Sequence, residues 1–305
     1  MRAPRLLVLP VVLLLPLAAC ADDDEPTPSP NPSPSVSPSA GPSVVPTTSP
    51  TAGPTATGTT GPTATRPPVS TSTVSVYLLK GEDLQPVARS ATGTGVAAAA
   101  VRALLAGPSS AEHADGLTSN VPSGTTLRGL TIRDGLATVD LSGRFDDGGG
   151  TLSMTSRVAQ VVFTLTRFPT VDRVVFLLDG RRVTELGGEG VDLSRPVDRD
   201  DYESLSPAVL VETPRWGETS RMPLRVTGTA NVFEAVFFLE LENAQGRKLV
   251  EQRVMATSGS GTRGTFDVTL RGSFSGQVLL NAFVYSAKDG SREDVVSVPI
   301  TLSAP

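Results

Sequence analysis

Half of the prolines in this chain stand in one stretch. Of the 26 prolines in 305 residues, 13 fall between Ala21 and Thr73, interleaved with Ser, Thr, Ala and Gly. Proline lacks a backbone N–H and fixes φ, and small polar side chains bury too little apolar area to offset the entropy of ordering. Residues 20–73 are therefore expected to be a disordered, partly polyproline linker, and whatever folds must lie between about Val74 and Pro305. Such a linker reaches about 160 Å fully extended and about 40 Å as a coil. The remainder suffices for two modest domains.

Ahead of the linker, Arg2 and Arg5 precede an apolar run from Leu6 to Leu17 that is interrupted by Pro10 and Pro16. A bilayer about 30 Å thick needs roughly 20 residues to span, so this run is too short, and residues 1–19 are expected to be a signal peptide. It ends Leu17-Ala18-Ala19-Cys20, which resembles the bacterial lipobox. That resemblance implies that Cys20 becomes an acylated N-terminus, which makes the outer face of the cell membrane a partner through the lipid anchor. Ala19-Cys20-Ala21 also satisfies the A-x-A pattern of ordinary secretion, so lipidation and plain export both stand at this point.

A net charge of −5 and a pI near 5.1 argue against nucleic acid as a partner class, because phosphate binding needs a basic face. One Cys excludes an intrachain disulfide framework and a Cys-rich zinc site, and the one His, His113, excludes a His-pair metal motif. No metal or cofactor is expected.

In residues 74–188, Val74 to Leu79 and Pro86 to Arg89 read as paired strands, and a helix follows from about Thr94 to Ala106, stopped by Gly107-Pro108. Leu127 to Arg133 and Ala137 to Leu141 alternate around Asp134-Gly135, a hairpin signal. Val158, Val161, Val162 and Leu165 recur at i, i+3, i+4, i+7 within a helix over Leu152 to Phe168. Val171 to Leu178 then turns at Asp179-Gly180 into Arg181-Arg182-Val183. The order is ββαββαββ, an α+β domain. Residues 189–204 read as an interdomain linker. In residues 205–304 seven strand runs recur at short spacing, from Val209 to Glu212 through Val295 to Leu302, the pattern of an all-β sandwich.

Several of these residues carry a family resemblance. Leu104-Leu105-Ala106-Gly107-Pro108, Val121-Pro122-Ser123-Gly124-Thr125, Gly135 through Ser142, Ala159 through Thr166 and Phe176-Leu177-Leu178-Asp179-Gly180 together resemble the GerMN domain. Pro214 through Glu218, Pro223 through Gly228, Val232 through Ala235 and Ser286 through Ser291 are similar to the immunoglobulin-like domain that follows GerMN in bacterial spore-germination proteins. The lipobox and the tandem together resemble exported actinobacterial-type lipoproteins. The resemblance implies no catalytic residues.

The remaining motifs read as structural. Gly93-Thr94-Gly95-Val96-Ala97-Ala98 matches a dinucleotide fingerprint, but no parallel strand leads into it, so helix-start glycines are expected. His113 sits in a polar loop with no nucleophile elbow nearby. Asp146 to Gly150 reads as a flexible loop, Asp198 to Glu203 as a charged linker, and Trp216 as a core or domain-edge residue. Along Glu234 to Glu242, alternation puts Ala235, Phe237, Leu239 and Leu241 inside. It leaves Val236 and Phe238 as an apolar pair on a wet, acidic face, the candidate partner contact.

The favoured function is a non-enzymatic, lipid-anchored envelope protein that binds an envelope protein or cell-wall component. A carboxylate-based cell-wall hydrolase and a plain structural spacer are the alternatives.

Overall fold

The computed structural model describes residues 71–304 apart from 93–94 and 189. Cys20, the signal peptide and nearly all of the expected linker lie outside the described residues. The described residues fall within one compact unit, Thr65–Pro305.

The chain opens with a hairpin of β1 (Thr71–Lys80) and β2 (Asp83–Thr92). β1 begins three residues inside the expected linker, because Thr71, Ser72 and Thr73 pair with Thr92, Ala91 and Ser90. Helix α1 (Val96–Leu105) follows, with Gly95 at its N-cap in a left-handed conformation, φ +80°. Gly95 is thus a helix-start glycine; Gly93 and Thr94 lie outside the described residues. The expected polar loop around His113 contains a short helix, α2 (Ser110–Ala114), and a short strand, β3 (Leu117–Thr118). Ser109 and Glu112 form a reciprocal capping box there. That S-x-x-E spacing was the sequence signal for a helix at this point.

Strands β4 (Leu127–Arg133) and β5 (Gly135–Leu141) form the expected hairpin, with Asp134 and Gly135 both at positive φ. Helix α3 (Thr151–Leu165) connects β5 to β6 (Val171–Leu178), which runs parallel to β5, and β7 (Arg181–Arg182) closes that sheet. The first domain therefore has two small sheets, β2-β1-β3 and β4-β5-β6-β7, with a separate two-stranded ladder at residues 185–192. α3 is buried almost all round from Ser156 to Leu165. Its apolar stripe is as the periodicity predicts, but its polar face is buried too. Thr164 Oγ1 accepts the Tyr77 N–H at 3.1 Å, and Gln160 Nε2 donates to the Tyr77 carbonyl at 2.9 Å. β3 pairs β1 only at Leu79 and Lys80, so helix side chains supply the partners that a longer strand would have given Tyr77.

Most of the expected linker, residues 190–204, is packed down along much of its length. After β8 (Glu185–Leu186), the strand β9 (Val191–Asp192) pairs with it, and Val197 exchanges backbone hydrogen bonds with Val174 in β6. Leu193, Val197, Tyr202 and Leu205 are buried in the first domain's core. Sequence composition points to a linker because the apolar residues are sparse; each of them is spent on the core.

The second domain holds β10 (Val209–Thr213), β11 (Thr219–Ser220), β12 (Leu224–Ala230), β13 (Val236–Asn243), β14 (Lys248–Met255), β15 (Gly264–Leu270), β16 (Gly276–Tyr285) and β17 (Arg292–Leu302). They form a three-stranded sheet, β10-β12-β15, over a five-stranded one, β11-β17-β16-β13-β14. All seven predicted strand runs are strands. Glu234 and Ala235 are not: both take left-handed φ in a tight 3-10 turn, so β13 starts at Val236.

The seam between the two domains

Tyr77 is wholly buried and reaches across to the second domain, where its Oη donates to Glu212 Oε1 at 2.8 Å. Arg199 Nη1 donates to the same oxygen at 2.5 Å, and Arg199 Nε donates to Thr166 Oγ1 at 2.8 Å. The Arg199 guanidinium lies 4.8 Å from the Phe163 ring and 5.5 Å from the Tyr77 ring. Burial pushes the Tyr77 hydroxyl well above the ordinary tyrosine range, with Glu212 adding to the rise and Arg199 opposing it. Burial alone would raise the Glu212 carboxyl, but Arg199 outweighs it and holds the group below the usual carboxylate range. An ion pair this enclosed spends much of its attraction on desolvation. Its consequence is orientational: the two domains meet at the angle that lets tyrosine, carboxylate and guanidinium converge.

Trp216 forms the second fastening. Its N–H donates to the Pro86 carbonyl at 3.0 Å, and its own carbonyl accepts the Ala88 N–H at 3.3 Å. The outer edge of β2 is thereby closed by the second domain. Trp216 and Leu210 join the first domain's apolar core, and the Lys80 ammonium sits 5.4 Å from the indole. Arg215 Nε donates to Ser75 Oγ at 2.5 Å beside it. Trp216 is thus a domain-edge residue, one of the two readings open from sequence.

Of the open clefts along the seam, two exceed 500 Å³. One, about 560 Å³, is lined by Asp115 of the first domain and by Trp216, Glu242, Gln277 and Thr301 of the second. The other, about 520 Å³, is lined by Arg167 of the first domain and by Glu212, Thr213, Arg225, Thr227, Thr229 and Asp267 of the second.

The other sequence candidates fall elsewhere. Cys20 lies outside the described residues. Val236 and Phe238 do lie on the outer face of β13, but both are half-buried rather than exposed. Phe238 stacks on Phe283 at 6.0 Å and meets Tyr285 edge-on at 4.8 Å. Nor is that face wet at Glu240, which is 1% exposed and bound through both oxygens by Arg292. Alternation within one strand cannot show that β16 sets two aromatics opposite. The exposed apolar side chains of this domain are instead Phe233, Met255, Tyr285 and Val295.

His113 is exposed on α2. The expected flexible loop Asp146 to Gly150 is pinned by Arg157, which donates to the carbonyls of Phe145, Asp147 and Gly148 at 2.7, 3.2 and 2.7 Å. The acids of Asp198 to Glu203 disperse: Asp201 pairs with Arg195, and Glu203 with Arg263. Among the described residues, no cluster of three or more His, Cys, Asp or Glu could hold a metal, and no helix is long and apolar enough to cross a membrane. Tyr77, Arg199 and Glu212 escaped the sequence reading. The one available signal was a Glu ending the apolar run Val209-Leu210-Val211.

The family described as "Sporulation and spore germination" matches residues 75–184, and that described as "Immunoglobulin-like domain of bacterial spore germination" matches residues 208–291. The chain carries a GerMN domain followed by the immunoglobulin-like domain of bacterial spore-germination proteins. Solved structures similar to it include the first GerMN domain of the sporulation protein GerM from Bacillus subtilis, at 23% identity over 43% of this chain and 99% of that one, TM-score 0.35. The tandem GerMN domains of the same protein match at 18% identity over 66% of this chain and 62% of that one, TM-score 0.37. CopC from Methylosinus trichosporium OB3b matches at 14% identity over 32% of this chain and 94% of that one, TM-score 0.23. A search of curated proteins found no match. In this GerMN chain, the seam described above falls between the two matched regions and draws on both.

Proposed function

We propose that the chain is a non-enzymatic, lipid-anchored cell-envelope protein that presents its GerMN and immunoglobulin-like domains as one rigid body on a long tether, to bind an envelope protein or cell-wall component. The observation that carries this reading is the buried bridge from Tyr77 to Glu212 and Arg199, which makes one presenting surface out of two domains. A binding module gains from such fixing, because less freedom is lost when a ligand spans both halves. The anchor rests on the residues around Cys20, and acyl chains contribute about 0.8 kcal/mol per buried CH₂. Wild-type chain is expected in the membrane fraction after a salt wash, and Cys20→Ala in the soluble fraction. A Cys20→Ala variant that stays with the membrane overturns the anchor.

A further inference from the structure

We infer that the cleft of about 520 Å³ beside Glu212 binds a carboxylate-bearing saccharide, the carboxylate on Arg167 and the sugar hydroxyls on a bank of threonines. The inference rests on the binding reading above and states what the bound envelope component is made of.

Charge comes first. Four charged side chains line the cleft: Arg167, Arg225, Glu212 and Asp267. Arg225 is spent on Asp267, through contacts of 2.9 and 2.5 Å to its two oxygens. Glu212 is spent on Arg199 at 2.5 Å. Arg167 is left over. Among the described residues its nearest carboxylate oxygen, on Glu212, is 3.8 Å away, and its one hydrogen bond, to Thr213 Oγ1, is 3.4 Å long. It is a positioned cation, a third exposed, with donor capacity unspent, in a protein whose net charge is −5. A planar guanidinium matches a carboxylate through two parallel hydrogen bonds.

The wall beside Arg167 sets what carries that carboxylate. Thr213, Thr227, Thr229, Thr257 and Thr265 all line the cleft. Thr213 and Thr229 only accept hydrogen bonds from arginines, so their hydroxyl hydrogens remain available. Thr227 makes no side-chain hydrogen bond to the described residues. β12, which contributes Thr227 and Thr229, is the central strand of its sheet, paired with β10 on one side and β15 on the other. Its backbone is therefore taken, and a peptide cannot add to it as a further strand. What the cleft offers is hydroxyl groups and a guanidinium, a set suited to a polyhydroxylated acid.

The test is calorimetric titration of the full-length chain in detergent with trigalacturonate, its methyl ester, and oligoglutamate. Trigalacturonate should bind saturably. Esterification, which removes the charge and keeps the hydroxyls, should weaken binding about tenfold or more, as should Arg167→Ala, while Arg167→Lys should keep part of it. Thr227→Val should weaken it several-fold. The inference is overturned if trigalacturonate does not saturate, if the ester or Arg167→Ala binds as well, or if oligoglutamate competes equally. The ester comparison needs no variant, so it decides the matter even if a substitution disturbs folding. Saturable binding by a chain that fails to fractionate with membranes would remove the anchor alone; anchoring without binding would remove the cleft alone.

Discussion

Tyr77 of the GerMN domain donates its hydroxyl to Glu212 of the immunoglobulin-like domain at 2.8 Å, and Arg199, from the segment between the matched regions, donates to that same oxygen. One carboxylate oxygen thus gathers three parts of the chain. Removing different members should cost very different amounts. Tyr77→Phe leaves Glu212 paired with Arg199 and should cost about 1 kcal/mol. Glu212→Ala strands the Arg199 charge, whose side chain is a quarter exposed, and should cost about 2–3 kcal/mol, less than for a fully buried pair. Urea unfolding at unchanged m-value measures both. Equal costs would show that the ion pair is not the central element of the seam.

The same carboxylate sets an acid limit. The folded-state pKa of Glu212 lies below its ordinary value of 4.5. Its contribution is therefore complete above about pH 4.5 and is lost as pH falls through the lower folded-state value. Glu112 behaves alike: burial opposes its charge, but bonds from Arg89 and the Ser109 backbone bring its pKa down. Thermal midpoints should be flat from neutral pH to about pH 5 and then fall. In Glu212→Gln the fall should be shallower.

Brief proteolysis should yield a stable fragment that starts near Thr71 and runs through both domains uncut. If residues 189–204 were the linker that the sequence suggests, a second cleavage would fall there. Burial of Leu193, Val197, Tyr202 and Leu205 removes that site, because a protease needs an extended, mobile segment. Mass spectrometry of the fragment decides it, and rapid cutting between residues 191 and 205 would contradict the packing.

Phe237 is fully buried and packs edge-on against Phe266 at 4.8 Å, so Phe237→Ala should cost about 3–5 kcal/mol. Phe238→Ser removes a half-buried ring stacked on Phe283 and should cost roughly 2 kcal/mol. On a wet face the second substitution would be nearly free. Chemical denaturation of the full chain separates these outcomes.

Sequence legibility followed the range of the interactions. The Val158–Leu165 stripe and the Asp134-Gly135 turn were readable because helix period and turn chemistry act over a few residues. The outward face of β13 was misread because its partners, Phe283, Tyr285 and Arg292, come from 45 or more residues away. Alternation tells which residues share a face, not what the neighbouring strands set beside them.

The sequence alone determined that the chain divides into a proline-rich stretch, an α+β domain and a β-sandwich, and that both domains resemble spore-germination modules. The division follows from local composition and period; the resemblance rests on short motifs standing in the right order. Only the tertiary structure decided that the two domains are fastened into one body. The fastening depends on Tyr77, Arg199 and Glu212 meeting across as many as 135 residues of chain, and on Trp216 covering the edge of β2. No spacing rule records that a tyrosine hydroxyl, a guanidinium and a carboxylate will share one buried point; packing sets it.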